Sequence, residues 1–243
     1  AEGLKLLADI GVNGLRNGYR EFQVFQHDSE PLNPGVGDPV WAGAMSEESL
    51  DTVRGLLGGG TSNNEGSLRE METTAELIIS AAQSAIDGFT TLPEFNAQAE
   101  AISNAIAGES EDVDQNGQVE TLEGIEMGLV GDTSHVSQTL ADLTESFEAF
   151  GGLTAEDHIR EALDNAYDCI QRVDAYASKA KTYAGIATVC AGQGSCQSTM
   201  ETVVEQLDLA LNGEDLNEDG VVSADQNEGT IECGIEYISR LVG

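Results

Sequence analysis

The segment from Asp112 to Glu123 constrains this chain more than any other part of its sequence. Numbered from Asp112, carboxylate or amide side chains stand at positions 1, 3, 5, 9 and 12, and Gly117 stands at position 6. Glycine adopts a positive φ at no steric cost, so we expect the chain to turn sharply at Gly117. Val119, at position 8, is expected to face inward. The segment therefore predicts a tight turn lined with oxygen atoms.

This segment, which we call loop 1, resembles the calcium-binding loop of EF-hand proteins. EF-hand loops take oxygen ligands from positions 1, 3, 5, 7, 9 and 12. The resemblance covers the twelve residues and the helices expected on either side, and it implies a bound Ca²⁺ ion. The implied ligands are Asp112, Asp114, Asn116, the backbone carbonyl of Gln118, Glu120 and a bidentate Glu123. The alternative is a solvated acidic turn that binds no ion.

A second segment, Asp215–Gln226, repeats much of this pattern, and we call it loop 2. It resembles EF-hand loops and, in its D-x-N-x-D-G order, the loops of dockerins. The implied ligands are Asp215, Asn217, Asp219 and the backbone carbonyl of Val221. Gln226 replaces the expected acid at position 12, so either Asp225 or Glu228 would have to complete the shell. The alternative is a turn that no longer binds metal.

Apolar residues at helical spacing predict an all-α helical bundle. The predicted helices are 3–26, 47–57, 66–88, 93–107, 121–130, a helix capped by Asp132 or Thr133 that runs to Phe150, 155–189, 197–212 and 228–242. Each loop would follow two helices and precede a third. Short echoes flank both loops, such as Gly124-Ile125-Glu126 after loop 1 and Gly234-Ile235-Glu236 after loop 2. We therefore interpret the chain as an internal duplication of helix–helix–loop–helix units.

This interpretation divides the chain into three regions. Residues 1–65 would form an N-terminal helix and an irregular loop around Trp41 that pack on the bundle. Residues 66–150 would form the helical unit that carries loop 1. Residues 151–243 would form the unit that carries loop 2 and the cysteines.

The chain is extremely acidic, with 44 Asp and Glu residues against 10 Lys and Arg residues and a net charge of −34. Such a charge repels nucleic acids and anionic membranes, so neither is an expected partner. Divalent-cation binding, a high-salt habitat and simple solubility could each account for the acidity. No apolar run is long enough to span a membrane.

The four cysteines predict two disulfides and an oxidising compartment, such as a secreted, cell-surface or periplasmic location. We expect Cys190 to pair with Cys196 across a short glycine-containing loop, and Cys169 to pair with Cys233, tying the last helix to a long one. The alternative is four free, buried thiols.

Catalytic motifs are missing from the sequence: there is no P-loop, no nucleophile elbow, no dinucleotide fingerprint and no HExxH. One further pattern, His27-Asp28-Ser29-Glu30, is similar to the HxxE metal motif of imelysin-like periplasmic proteins. That resemblance implies a metal-uptake or peptidase-like role that uses His27 and Glu30. The alternative is an exposed histidine at a helix end.

Taken together, the sequence predicts a non-enzymatic extracellular protein with structural calcium. We expect it to be a surface, matrix or filament component that associates with itself or with another extracellular protein.

Overall fold

The computed structural model describes residues 46–58, 67–125, 127–148, 154–216, 218, 220, 222, 228 and 230–242. The predicted N-terminal helix, the loop around Trp41, and the HxxE residues His27 and Glu30 lie outside these residues. Side chains are described up to residue 146 in the fourth helix and from residue 159 in the fifth.

The described residues form seven α-helices and no strand, which confirms the all-α prediction. The helices are α1 (Glu47–Leu56), α2 (Leu68–Asp87), α3 (Leu92–Ala107), α4 (Gly128–Glu148), α5 (Thr154–Ala187), α6 (Gln193–Asn212) and α7 (Ile231–Val242).

Three helices begin where the sequence places a hydroxyl side chain. Ser46, Ser67 and Thr91 each accept a hydrogen bond from the backbone N–H three residues further on, at the first turns of α1, α2 and α3. This contact satisfies a backbone donor that has no partner within the helix. In α3, Pro93 lies in the first turn, where its missing N–H costs nothing.

The long helix α5 lies at the centre of the bundle. It packs against α3, α4, α6 and α7, while α2 packs against α6. Apart from the Cys169–Cys233 pair, the buried apolar residues form one contiguous core that extends from Val53 in α1 to Leu241 in α7. The helices around loop 1 and those around loop 2 therefore share a single core.

Both predicted disulfides are present. Cys169 of α5 is bonded to Cys233 of α7 across 64 residues of chain, and Cys190 is bonded to Cys196 across six. The Cα–Cα distances are 6.0 and 5.4 Å, and no described cysteine is free.

The prediction of a helix over residues 121–130 is wrong. Gly124 and Gly128 have φ values of +85° and +71°, in the left-handed region, so the chain turns twice before α4 starts at Gly128. As a result, Asp132 and Thr133 do not cap a helix but lie inside α4, where both are buried.

Among the described residues, no helix combines the length and the apolar character needed to cross a lipid bilayer.

Candidate metal site

The side of α3 that faces loop 1 carries two buried polar residues, Glu100 and Asn104. They are 0% and 3% exposed, and they lie on a helix that is otherwise packed through apolar residues such as Phe95 and Ile102. A spacing of four residues puts both side chains on one face of the helix. Burying a carboxylate is costly unless hydrogen bonds or a charge partner compensate it. The contacts of Glu100 and Asn104 therefore show which groups compensate the burial of their polar side chains.

Asn104, near the end of α3, forms hydrogen bonds with the backbone on both sides of loop 1. Its Nδ2 atom donates hydrogen bonds to the backbone carbonyls of Glu111 and Glu120, at 2.9 Å each. Its Oδ1 atom accepts a bond from the backbone N–H of Glu111 at 3.2 Å. One side chain thus fixes the distance between the start of loop 1 and its ninth position.

Glu100 binds the interior of the same loop. Its Oε2 atom accepts a hydrogen bond from the backbone N–H of Asp114 at 2.8 Å, and its Oε1 atom accepts one from the backbone N–H of Glu120 at 2.9 Å. Burial raises the pKa of Glu100, but the backbone donors, chiefly Asp114 and Glu120, outweigh burial and hold that pKa below its usual value. Glu100 is therefore a buried, ionised carboxylate.

Within loop 1, short side chains hold the turn in shape. The Asp112 carboxylate accepts a bond from the backbone N–H of Gly117 at 3.0 Å, and Asp114 accepts one from the N–H of Asn116 at 2.9 Å. Asn116 in turn accepts a bond from the N–H of Gln118 at 2.7 Å. Gly117 has a φ of +87°, as its position in the sequence predicts.

Three carboxylates converge at this turn. One oxygen each from Glu100, Asp112 and Asp114 lie within 4.8 Å of one another, and this is the only such group of metal-ligating side chains among the described residues. Sequence reasoning found Asp112 and Asp114 but missed Glu100. The available signal was an acidic residue, followed by an asparagine four positions later, within the apolar pattern of residues 93–107.

Glu123, the expected bidentate ligand, is exposed and does not belong to this group. Asn116 and Gln118 are also exposed, and they lie in the turn where the sequence places them. Val119 does not face inward, since it is 49% exposed.

Glu120 lies against Glu100 on the inner side of loop 1. Its Oε2 atom is buried and has no hydrogen-bond partner among the described residues. Burial, followed by the adjacent Glu100 carboxyl, raises the pKa of Glu120. Two carboxyl groups that face each other in this way require either a proton or a cation between them.

The ends of the loop 1 region meet at two glycines. A Cβ atom added to Gly108 would lie 1.8 Å from the carbonyl oxygen of Met127, and one added to Gly128 would lie 2.2 Å from the backbone nitrogen of Gly108. Both glycines have positive φ values. The backbone approach that closes the base of the loop is therefore possible only without side chains at these positions.

Loop 2 makes a related turn. The backbone N–H of Gly220 donates to Asp215 at 2.7 Å, just as Gly117 donates to Asp112 in loop 1. Glu228 is fully buried, and its Oε1 atom accepts a bond from the backbone N–H of Leu216 at 2.9 Å. The other predicted ligands, Asn217, Asp219, Val221 and Asp225, lie outside the described residues.

Comparison with known proteins yields no match: no protein-family model, no curated protein and no solved structure matches this chain.

Proposed function

We propose that this chain is a calcium-binding helical protein in which the ion serves a structural role. The observation that carries the proposal is the convergence of the Glu100, Asp112 and Asp114 carboxylates within 4.8 Å. Ca²⁺ prefers oxygen ligands at about 2.3–2.6 Å, so two oxygens on opposite sides of one ion lie about 4.6–5.2 Å apart. All three oxygens are thus close enough to contact one Ca²⁺ ion.

The electrostatics of the chain support a cation at this turn. Glu120 adds a fourth carboxyl beside Glu100, and Glu109, which precedes loop 1, pairs with Lys181 at 2.9 Å on the surface. A divalent ion would offset the repulsion among these acids and join loop 1 to α3. The ion would then stabilise the bundle without changing its shape, which is what we mean by a structural role.

Thermal unfolding with and without calcium tests this function. Calcium sites of extracellular modules have Kd values of about 10⁻⁴–10⁻³ M. At a calcium concentration about ten times Kd, one site adds about 1.4 kcal/mol to the free energy of unfolding, because binding favours the folded state. For a chain of this size we expect Tm to rise by about 3–5 °C relative to chelator.

The Asp112→Asn variant provides the comparison for that experiment, because it removes one converging carboxylate charge on the surface of the loop. Its Tm should respond weakly to calcium. Identical melting curves for the natural chain in calcium and in chelator would contradict the structural-calcium proposal.

We further infer that loops 1 and 2 descend from a duplicated unit. The fourth residue of each loop, Gln115 and Glu218, has a φ near +60°, and the sixth, Gly117 and Gly220, has a φ near +85°. A non-glycine residue rarely adopts a positive φ, so its recurrence at the same loop position supports a common origin. Calorimetric titration tests whether loop 2 also retains binding: two calcium ions per chain would support it, and one would limit binding to loop 1.

The setting we propose is extracellular, as a surface, matrix or filament component that associates with itself or with another extracellular protein. Its support is the pair of disulfides, which persist in oxidising compartments. Light scattering in calcium and in chelator tests calcium-dependent self-association. A monomer under both conditions would count against an assembly role and would leave the calcium site unaffected.

A further inference from the structure

We propose that Glu100, a residue of α3 outside loop 1, is the carboxylate that completes the calcium shell, and that Glu123 does not ligate the ion. This inference rests on the proposed calcium binding and assigns the ligands of that same site. In the shell expected from the sequence, Glu123 at the end of loop 1 supplies the last ligand. In the shell proposed here, Glu100 on the preceding helix supplies it.

The position of Glu100 is the first reason. Its carboxylate is fully buried and lies with Asp112 and Asp114 in the converging group, whereas Glu123 is exposed and outside it. The turn at Gly124, with φ of +85°, and the start of α4 only at Gly128 separate Glu123 from the helical geometry that would direct it inward.

The second reason is that Glu100 has acceptor capacity left. An ionised carboxylate offers about four acceptor sites. The backbone N–H groups of Val113, Asp114 and Glu120 use up to three of them, and the Glu120 carboxyl group lies against the fourth, where a shared cation would take the place of its proton. Glu100 can therefore hold the backbone of loop 1 and contact a cation at the same time.

The third reason comes from Glu120. Its buried Oε2 atom has no hydrogen-bond partner among the described residues, although it lies beside the Glu100 carboxyl. An orphaned carboxylate oxygen is costly in a protein interior. A cation shared with Glu100 would satisfy it in place of a proton, and this observation is independent of the convergence of Asp112 and Asp114.

A calcium ion bound by Glu100 would change how loop 1 is attached to the bundle. Because Glu100 lies in the middle of α3 and α3 packs against α2, α4 and α5, an ion held by Glu100 joins the loop directly to the core. Loop 1 would then act as part of the bundle and not as a separable module.

Calcium titration calorimetry on matched charge-neutralising variants tests the assignment. Glu100→Gln should weaken calcium binding at least ten-fold, because changing even an outer-shell group of a metal site typically costs about 10–100-fold in affinity. Glu123→Gln should bind within about two-fold of the natural chain. Glu109→Gln, at a surface carboxylate paired with Lys181, is the control and should also bind within about two-fold.

The reverse result, with Glu123→Gln weakened ten-fold and Glu100→Gln unchanged, would overturn the assignment while leaving calcium binding intact. No calcium binding by the natural chain would instead refute the proposed function itself.

A second measurement covers the case in which Glu100→Gln does not fold. In the natural chain, NMR of the glutamate side-chain carboxyl carbons should show a calcium-dependent shift for Glu100 and none for Glu123. A shift at Glu123 alone would overturn the assignment.

Discussion

At their described positions, loops 1 and 2 share the features of one backbone turn, but they are attached to the bundle in different ways. In both, the glycine at position 6 donates its N–H to the aspartate at position 1. When the loops are aligned on those aspartates, Glu100 and Asn104 of α3 correspond to Val203 and Leu207 of α6, which are fully buried apolar residues. The helix before loop 1 thus binds its loop with polar groups, whereas the helix before loop 2 has buried apolar residues at the two corresponding positions.

Loop 2 obtains its attachment from the chain that follows it. Buried Glu228 accepts the N–H of Leu216, and shortly afterwards the Cys169–Cys233 disulfide fixes α7 to α5. This difference shows that such a turn can be stabilised by the helix before it or by the chain after it. It also predicts that the two loops respond differently to the same kinds of mutation.

The largest effect is expected from removing the Cys169–Cys233 disulfide by a double change to serine. Closing a loop of this length in the unfolded chain is worth about 4 kcal/mol, against about 2.4 kcal/mol for Cys190–Cys196. Urea denaturation should show that ordering, and hydrogen exchange should accelerate in α7 more than at the Glu111 and Glu120 amides. Equal losses for the two pairs would show that α7 does not depend on its covalent link.

The next effect concerns the glycines at the base of each loop. In Gly108→Ala, the new Cβ would meet a backbone carbonyl at 1.8 Å, and φ is +73°, so we expect a loss of about 3 kcal/mol. In Gly213→Ala, the nearest atoms are side-chain atoms of Thr230 and Val222, which can move, so about 2 kcal/mol is expected.

Gly117→Ala is the control for these two variants. It has open space around the added atom and should cost only the positive φ, about 1 kcal/mol. Chemical denaturation of the three variants gives the ranking. A larger loss for Gly213→Ala than for Gly108→Ala would contradict the idea that the close backbone contact makes the base of loop 1 less tolerant of a side chain than the base of loop 2.

A loss smaller than that of Gly108→Ala is expected from Asn104→Ala, which removes three hydrogen bonds to Glu111 and Glu120. Water can reach part of this region, so we expect a loss of about 2 kcal/mol rather than the full cost of three buried groups. The control is Asn212→Ala at the end of α6, where the side chain is exposed and bonds only Asp208 among the described contacts. That change should cost less than about 0.5 kcal/mol. Similar losses in both variants would contradict the idea that α3 holds its loop through the hydrogen bonds of Asn104.

The smallest effect is pH-dependent and lies in the helix after loop 1. Burial, with a contribution from the Glu70 charge, raises the pKa of Asp132 to about 7 against the opposing hydrogen bond from Thr74. Its Oδ1 atom is buried and lacks a hydrogen-bond partner among the described residues. Counted from the aspartate that opens each loop, the residue at the same distance after loop 2 is Ile235.

Between a pH of about 4, near the unfolded pKa of an aspartate, and pH 7, the folded chain holds this proton more tightly than the unfolded chain. Asp132 therefore makes the free energy of unfolding fall as pH rises through that range. A rise in the pKa from about 4 to about 7 is worth about 4 kcal/mol before solvent screening, which reduces it. Asp132→Asn should therefore match the natural chain near pH 4 and exceed it by about 1–2 kcal/mol at pH 8. Urea denaturation at several pH values checks this, with exposed Asp142→Asn as the control. An unchanged difference across the range would contradict it.

Much of the fold could be predicted because its signals are local. Apolar spacing predicted six of the seven described helices to within a few residues, and Ser46, Ser67 and Thr91 marked three of their starts. The seventh, α4, was predicted to begin several residues too late. The turns at Gly117 and Gly220 followed from glycine's conformational freedom. The Cys190–Cys196 pair followed from the short glycine-containing loop between its members, and the Cys169–Cys233 pair from the two helices that carry it.

The candidate site could be predicted only in part. Asp112 and Asp114 stand in a readable pattern, but Glu100 acts on residues 14 and 20 positions further along the chain. The sequence by itself determined where the chain turns, because φ preferences and helical periodicity belong to short segments. Only the tertiary structure decided which carboxylate faces the turn, since that depends on how α3 packs beneath the loop and on the turns at Gly124 and Gly128, which keep residues 121–125 out of a helix and leave Glu123 in solvent.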